Sequence, residues 1–303
     1  MKSLIGKFKH LLIFIGLLTK HLYVETCQYF RILFYQYKDS NSPEVVLANL
    51  RVLAHALDKG MCVTGRQPTR GYNKYKACKQ MVAFLETTSL SNDPSLKWVR
   101  GRIEEYDRLQ QNSGSLKGDP VRVPTAEERK DIVALIRSRR SVRNFKPDKI
   151  NSSVLSELID LARWAPNSCC RQSVFLYVTE KREQIDKCMG LTLGATCFSE
   201  TLPCFICVCG DMRFYPLVDK GLLYIDGALA AGNLLLAAHA YGIEGTILNW
   251  RQHMRGDEKK LREVLGIAPY HSVVLNIALG YPDSMPSVPV RKDLNRVWKF
   301  NKE

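Results

Sequence analysis

The stretch from Leu222 to Tyr241 constrains the fold most. It is apolar nearly all round, rich in small residues (Ala228, Ala230, Ala231, Gly232, Ala237, Ala238, Ala240), and Gly242 follows to close it. A helix with so little polar face has to be buried, and its small residues permit the close contact of a dimer core. Short apolar runs flank it and read as strands: Val174 to Thr179 and Cys204 to Cys209 before it, Gly245 to Trp250 and Ser272 to Leu279 after it. A further helix begins at a Ser153 cap, carries Leu155, Leu158, Ile159 and Ala162, and ends at Ala165-Pro166. With 303 residues and 46% hydrophobic content, the chain can build a substantial core.

Upstream the pattern differs. Residues 1–120 read as an all-helical region separable from the rest. Ser42-Pro43 starts a helix bearing Val46, Leu50, Leu53 and Leu57 that Gly60 can close. Another runs from about Lys74 to Glu86, and Asp93-Pro94 starts a third reaching about Leu109. A loop with two glycines and a proline, Cys62 to Tyr72, joins the first two. Gln110 to Pro120 breaks all periodicity and reads as the linker to a second unit, 121–303. At the N-terminus, Leu4, Phe8, Leu11, Leu12, Ile15 and Leu18 fall at helical spacing. The apolar run 11–18 is far shorter than the ~20 residues that span a bilayer, and no small-residue cleavage site follows it. This helix is expected to pack on the protein or a twin subunit, with peripheral membrane contact through residues 1–37 as the alternative.

The net charge of +14 is compatible with nucleic acid, anionic membranes or acidic small ligands. No zinc-finger spacing, nucleic-acid-binding motif or basic low-complexity tail accompanies it, so no nucleic-acid partner is expected. Ten cysteines sit mostly in apolar segments without a secretory signal, the usage of buried reduced thiols in a cytoplasmic protein. Cys204, Cys207 and Cys209 have strand periodicity, which places 204 on the face opposite 207 and 209. No fourth ligand follows at a zinc-like spacing, so no metal is expected.

The chemistry gathers elsewhere. Arg137, Arg139, Arg140, Arg143, Lys146 and Lys149 stand against one acid, Asp148, immediately after a helix announced by a Thr125/Glu128 capping box. The helix face Ile132, Leu135, Ile136 is expected to anchor it in a core. Such a cluster, with the Ser141 hydroxyl, suits a phosphate, because arginine offers a rigid fork of donors. There is neither a Gly-x-Gly-x-x-Gly after a strand nor a P-loop, so side chains would have to bind it.

Five motifs in order over Thr125 to the C-terminus resemble the FMN-dependent nitroreductase family. They are Arg139-Arg-Ser-Val-Arg-Asn-Phe145, the Pro166 to Gln172 loop, Asp226 to Ala238 followed by Gly242-Ile-Glu, Gly280-Tyr-Pro282, and the late Pro289-Val-Arg291. His55 to Gly60 and Arg70-Gly-Tyr72 are similar to the helical extension of a subset of the family. The resemblance implies an α+β three-layer sandwich with a central, mainly antiparallel sheet, preceded by the all-α region. It also implies an intertwined homodimer with FMN at the interface. Carried over by position, Arg139 and Ser141 would bind the FMN phosphate with Arg291 completing the clamp, Arg143 would approach the ring or ribityl chain, and Arg140 belongs to the same cofactor-binding set. Ser168, Cys170, Arg171 and Gln172 would reach the flavin of the partner, and Ile247, Leu248 and Asn249 would lie along the ring. Cys170 departs from the usual Asn, replacing a strong donor and acceptor with a weak one.

The implied activity is NAD(P)H oxidation through FMN with electrons passed to a small organic acceptor. No acid, base or nucleophile stands out as catalytic, since the cofactor carries the chemistry. Asp226 is expected to be a helix or interface hydrogen-bond partner, and His239 a satisfied core or interface histidine. A substrate-specific biosynthetic flavin dehydrogenase and a non-catalytic FMN-fold interaction module remain open alternatives.

Overall fold

The computed structural model describes residues 2–63, 65, 67–112, 120–192, 198, 200–250 and 255–300, with side chains from residue 12 onward except that of Arg255. Most of the expected linker, Cys197, parts of the 62–72 loop and the side chains of Leu4, Phe8 and Leu11 lie outside the described residues.

Four strands form one antiparallel sheet: β1 (Val174–Thr179), β2 (Cys204–Asp211), β3 (Glu244–Leu248) and β4 (His271–Gly280), in the order β1-β2-β4-β3. The four apolar runs named from the sequence are these strands. The register places Tyr177 opposite Cys207, Ile206 opposite Ile277, and Ile247 opposite Ile277, with a bulge between Val208 and Cys209. Because neighbouring side chains alternate across a strand, β2 feeds two cores. Cys204, Ile206 and Val208 face α6 (Ser152–Ala162) and α8 (Lys220–Ala240); Phe205, Cys207 and Cys209 face α7 (Arg182–Leu191) and α9 (Arg255–Leu265). The result is the expected α+β three-layer sandwich. Amphipathic α7 and α9, absent from the sequence reading, supply its second helical layer.

α8 has one face on the sheet, through Leu223, Ala230, Ala231, Leu234 and Ala238. It approaches β4 so closely that a Cβ on Gly227 would sit 2.8 Å from Val274 Cγ2. Burial is only half what its composition predicts: Ile225 and Leu229 are exposed on a stripe with Gly221, Ala228 and Gly232. Among the described residues Leu217–Ala240 is also the one stretch long and apolar enough to cross a membrane, and here that segment packs against the sheet.

The N-terminal region divides in two. α2 (Pro43–Met61), α3 (Tyr72–Leu85) and α4 (Pro94–Asn112) bury Leu47, Leu50, Ala54, Cys78, Val82, Leu85, Leu96 and Val99 among themselves. Before them a single 37-residue helix, α1 (Lys2–Lys38), contributes Ile32 to the main core beneath α8. Helix starts differ locally from the reading. Ser42 makes no side-chain cap and Gly60 lies inside α2, while Asn151, not Ser153, caps α6 by accepting from Ser153 N at 2.9 Å.

Candidate functional site

The capping box of α5 (Ala126–Ser138) forms as expected: Thr125 Oγ1 accepts from Glu128 N at 3.2 Å, and Glu128 Oε2 from Thr125 N at 2.9 Å. Its apolar face does not enter a core. Ile132 and Ile136 are exposed and no residue of α5 is buried, because in one chain the helix meets the body chiefly at the end of α8. The segment after it is fixed instead by Val142 and Phe145, both buried, and by isolated bridges from Ser141 to Gly245 and from Phe145 to Pro282.

That anchorage sets Arg139, Arg140 and Ser141 along the outer side of β3. A Cβ on Gly245 would lie 2.9 Å from the Ala278 carbonyl oxygen, so only glycine fits where Ser141 bridges. Arg139 Nη1 donates to the Arg140 carbonyl at 2.8 Å, and Arg140 Nη1 to the carbonyls of Arg137 (2.6 Å) and Arg139 (2.8 Å). Arg143 reaches the Ser141 carbonyl at 3.4 Å. Among the described residues none of these three guanidinium groups has a carboxylate partner. Downstream on the same edge, Ile247 and Asn249 are exposed and Leu248 is buried.

Just behind the cluster runs a connection with no sequence signal, since its members are 101 and 5 residues apart. Ser138 Oγ lies 2.7 Å from His239 Nε2, and His239 Nδ1 lies 2.5 Å from Glu244 Oε1. It joins the ends of α5 and α8 to the start of β3. His239 is the satisfied histidine expected, although its partners were not foreseen. Glu244 Oε2 is buried without a partner among the described residues.

The loop before β1 is built differently. Cys169, Cys170 and Gln172 have φ of 52°, 60° and 54°, left-handed values costly for side-chain-bearing residues. Asp226, buried on α8, restrains this shape: it accepts from Ser168 N at 3.0 Å, Ser168 Oγ at 2.8 Å and Tyr215 OH at 2.6 Å. Burial, together with the bond to Asp226, pushes the Tyr215 hydroxyl pKa well up. The Arg171 guanidinium turns inward, donating to the Phe214 carbonyl at 2.9 Å, pairing with Asp219 at 3.4 Å and stacking 5.1 Å from the Tyr215 ring centroid. From α2, buried Arg51 donates to the Arg171 carbonyl at 3.0 Å. Gln172 is exposed and half-buried Cys170 accepts weakly from its amide at 3.5 Å. Asn167 and Gln172 border a cleft of about 370 Å³ walled by Trp164, Pro166 and Ala230.

Thus the chain brings Arg139, Arg140, Ser141 and Arg143 together with Ile247, Leu248 and Asn249 on one edge of the sheet. Ser168, Cys170, Arg171 and Gln172 stand at the opposite edge, three strand spacings or about 14 Å across the sheet. Arg291 lies in an exposed extended segment and bonds only weakly to the carbonyls of Pro289 and Val290. The thiols of Cys207 and Cys209, 3.6 Å apart, are buried core groups, and burial pushes the Cys204 pKa up to about 12.

Residues 136–196 match the family model described as Nitroreductase family. A protein of Archaeoglobus fulgidus assigned by name to the NADH dehydrogenase/NAD(P)H nitroreductases is 31% identical over 160 residues, covering 50% of this chain and 86% of that one. A similarly named protein of Methanothermobacter thermautotrophicus is 25% identical over 169 residues, 55% of this chain and 85% of the other. A nitroreductase of Desulfovibrio desulfuricans solved in complex with FMN shares the fold, with a TM-score of 0.50 at 20% identity over 57% of this chain and 97% of that one. The motifs, the three-layer sheet and these likenesses converge: the chain belongs to the nitroreductase family.

Proposed function

We propose that the protein is an FMN-dependent oxidoreductase that takes electrons from NADH or NADPH and passes them to a small organic acceptor. The carrying observation is the β3 edge, where guanidinium groups without a carboxylate partner among the described residues stand beside the exposed Ile247 and Asn249. The donor set fits the cofactor. A phosphate monoester carries close to two negative charges, and Arg139, Arg140 and the Ser141 hydroxyl offer charged and neutral donors on one side of the strand. These groups would hold the phosphate, with Arg291 closing over it and Arg143 toward the ribityl chain. Bound FMN supplies two-electron chemistry between a nicotinamide and an organic acceptor. As an edge strand, β3 presents alternate backbone N–H groups away from β4, and Ile247 to Asn249 would orient the ring with them.

The site would be completed by a second copy. Ser168, Cys170 and Gln172 lie across the sheet from the arginines, while the exposed stripe of α8 and the bare apolar face of α5 offer area for a homodimer contact. In that assembly Arg171 fixes the loop and its neighbours meet the flavin of the partner. A second reading within the same chemistry has one supporting observation: Arg51 of the helical region holds the loop at Arg171. A region that shapes the site in this way suits a dedicated acceptor more than general nitro reduction.

The purified protein is expected to be yellow, or to gain flavin absorbance with added FMN, and to bleach on anaerobic NADH or NADPH. A colourless protein that takes up no FMN refutes the reading. Slow or absent bleaching with either nicotinamide favours the dedicated enzyme.

A further inference from the structure

α1 is a helix of two unlike halves. Its second half is fastened to the body: Arg31 donates to the carbonyls of Pro269 at 2.9 Å and His271 at 2.8 Å and pairs with Glu258 at 3.2 Å. Lys220 meets Glu25 at 2.6 Å, and the Gln36 amide donates to the Tyr215 carbonyl. At 1.5 Å per residue the whole helix is about 55 Å long, so its first half projects roughly 30 Å beyond these contacts.

That first half has no polar face from residue 12 to 18. Leu12, Ile13, Phe14, Ile15, Leu17 and Leu18 are between 45% and 63% exposed, and a Cβ on Gly16 would meet nothing within 4 Å. Successive helical residues are turned by about 100°, so these six cover every direction around the axis. Exposed apolar residues continue through Leu22, Leu33 and Tyr37. The charges are one-sided as well: Lys2, Lys7, Lys9 and Lys20 precede the first acid of the chain, Glu25.

We infer that α1 is a membrane-surface arm that seats residues 12–18 in the outer part of one leaflet of an anionic bilayer. A second helix, whether from another copy or another protein, would cover one stripe of this segment and leave the remaining apolar directions in water. A helix lying in the interface can instead bury its apolar side chains to different depths in the acyl region while its lysines reach up to the headgroups. Pairing copies of this arm in parallel would also stack Lys2, Lys7 and Lys9 on their equivalents, whereas an anionic headgroup layer neutralises them. The apolar segment is about 10 Å long against a hydrocarbon core of about 30 Å, so it inserts without spanning. This inference is independent of the flavin reading.

The test is co-sedimentation of the full chain with vesicles of phosphatidylcholine alone and of phosphatidylcholine with about 30% phosphatidylglycerol, at low and high salt. Binding is expected to be about tenfold or more tighter to the anionic vesicles and to weaken with salt. F14E/L17E is expected to lose at least about tenfold in vesicle affinity, with flavin content and circular dichroism unchanged because neither side chain touches the core. K7E/K9E should weaken binding to anionic vesicles while leaving the apolar segment intact. Equal binding to both vesicle types overturns the inference, as does no binding to either. So does self-association without lipid that F14E/L17E abolishes while vesicle binding is absent.

Discussion

The two edges of the sheet solve opposite problems. At the β3 edge Arg139, Arg140 and Arg143 are answered only by backbone carbonyls among the described residues, so the chain gathers positive charge without neutralising it. At the β1 edge the charged groups that hold the loop are paired within the chain: Asp226 by Ser168 and Tyr215, Arg171 by Asp219 and Phe214, Arg213 by Asp211 and Asp39. On the proposed reading the first edge awaits an anion, whereas the other is a shape held in advance against its own backbone strain. Removing a polar group should therefore cost ligand affinity at the first and folding stability at the second.

The largest effect is expected at the held edge. Asp226→Ala takes the acceptor from the half-buried Ser168 amide and hydroxyl, leaves the buried Tyr215 hydroxyl with Ser173 alone, and should cost about 4 kcal/mol, read from urea unfolding without FMN. A loss below about 1 kcal/mol would break the comparison, because it would mean the loop is not restrained from within.

Next comes pH. His271, at the start of β4 beside this edge, has its pKa pushed down to about 4 from 6.5, first by burial and then by Arg213, Arg262 and Arg31. The unfolded chain then binds a proton between these values that the native chain refuses. The histidine's contribution is complete above pH 6.5 and is lost as pH falls toward 4, about 3 kcal/mol in all. Asp211, whose pKa burial raises, works in the opposite direction, so the measurement is the difference between wild type and His271→Gln. That difference should shrink steadily below pH 6.5; a flat one would remove His271 from the restraint.

At the unfinished edge the expectation reverses. Arg139→Ala should leave the stability of the FMN-free protein within about 0.5 kcal/mol and weaken FMN binding by about 10- to 100-fold. The same truncation at Arg171 should do more to stability than to phosphate affinity, and the pair sharpens the contrast most cheaply. The smallest effect concerns strain. Cys170→Gly removes a left-handed side-chain-bearing residue and should stabilise the chain by about 0.5–1 kcal/mol, the relief of strain partly offset by glycine's freedom in the unfolded state.

The strands and most helices were legible because they depend on periodicity, whereas the short, charge-rich α7 and α9 were not read. The apolar runs at 174–179 and 204–209 could only be strands, and Thr125 with Glu128 marked the start of α5. The arginine edge could be read from residue types, since charge density needs no knowledge of distant partners. Asp226 was legible as a helix or interface hydrogen-bond partner, but its partners in the loop were hidden, because Asp226, Tyr215 and Arg51 reach it from 58, 44 and 120 residues away. The Ser138–His239 contact was missed for the same reason, since 101 residues separate the two. Overestimates of burial shared one cause. The apolar faces of α5 and α8 predict contact without saying whether one chain or two supplies it, and in the single chain both faces stay partly bare.

On the proposed function, the cations of the β3 edge hold the phosphate end of FMN. The most direct measurement is a fluorescence titration of FMN and of riboflavin, which lacks the phosphate, into the flavin-free protein and its Arg139→Ala variant. Tight FMN binding, with riboflavin weaker by about 100-fold and most of that gap gone in the variant, is the predicted result. Equal affinity for the two flavins, or an unchanged gap in the variant, would contradict it.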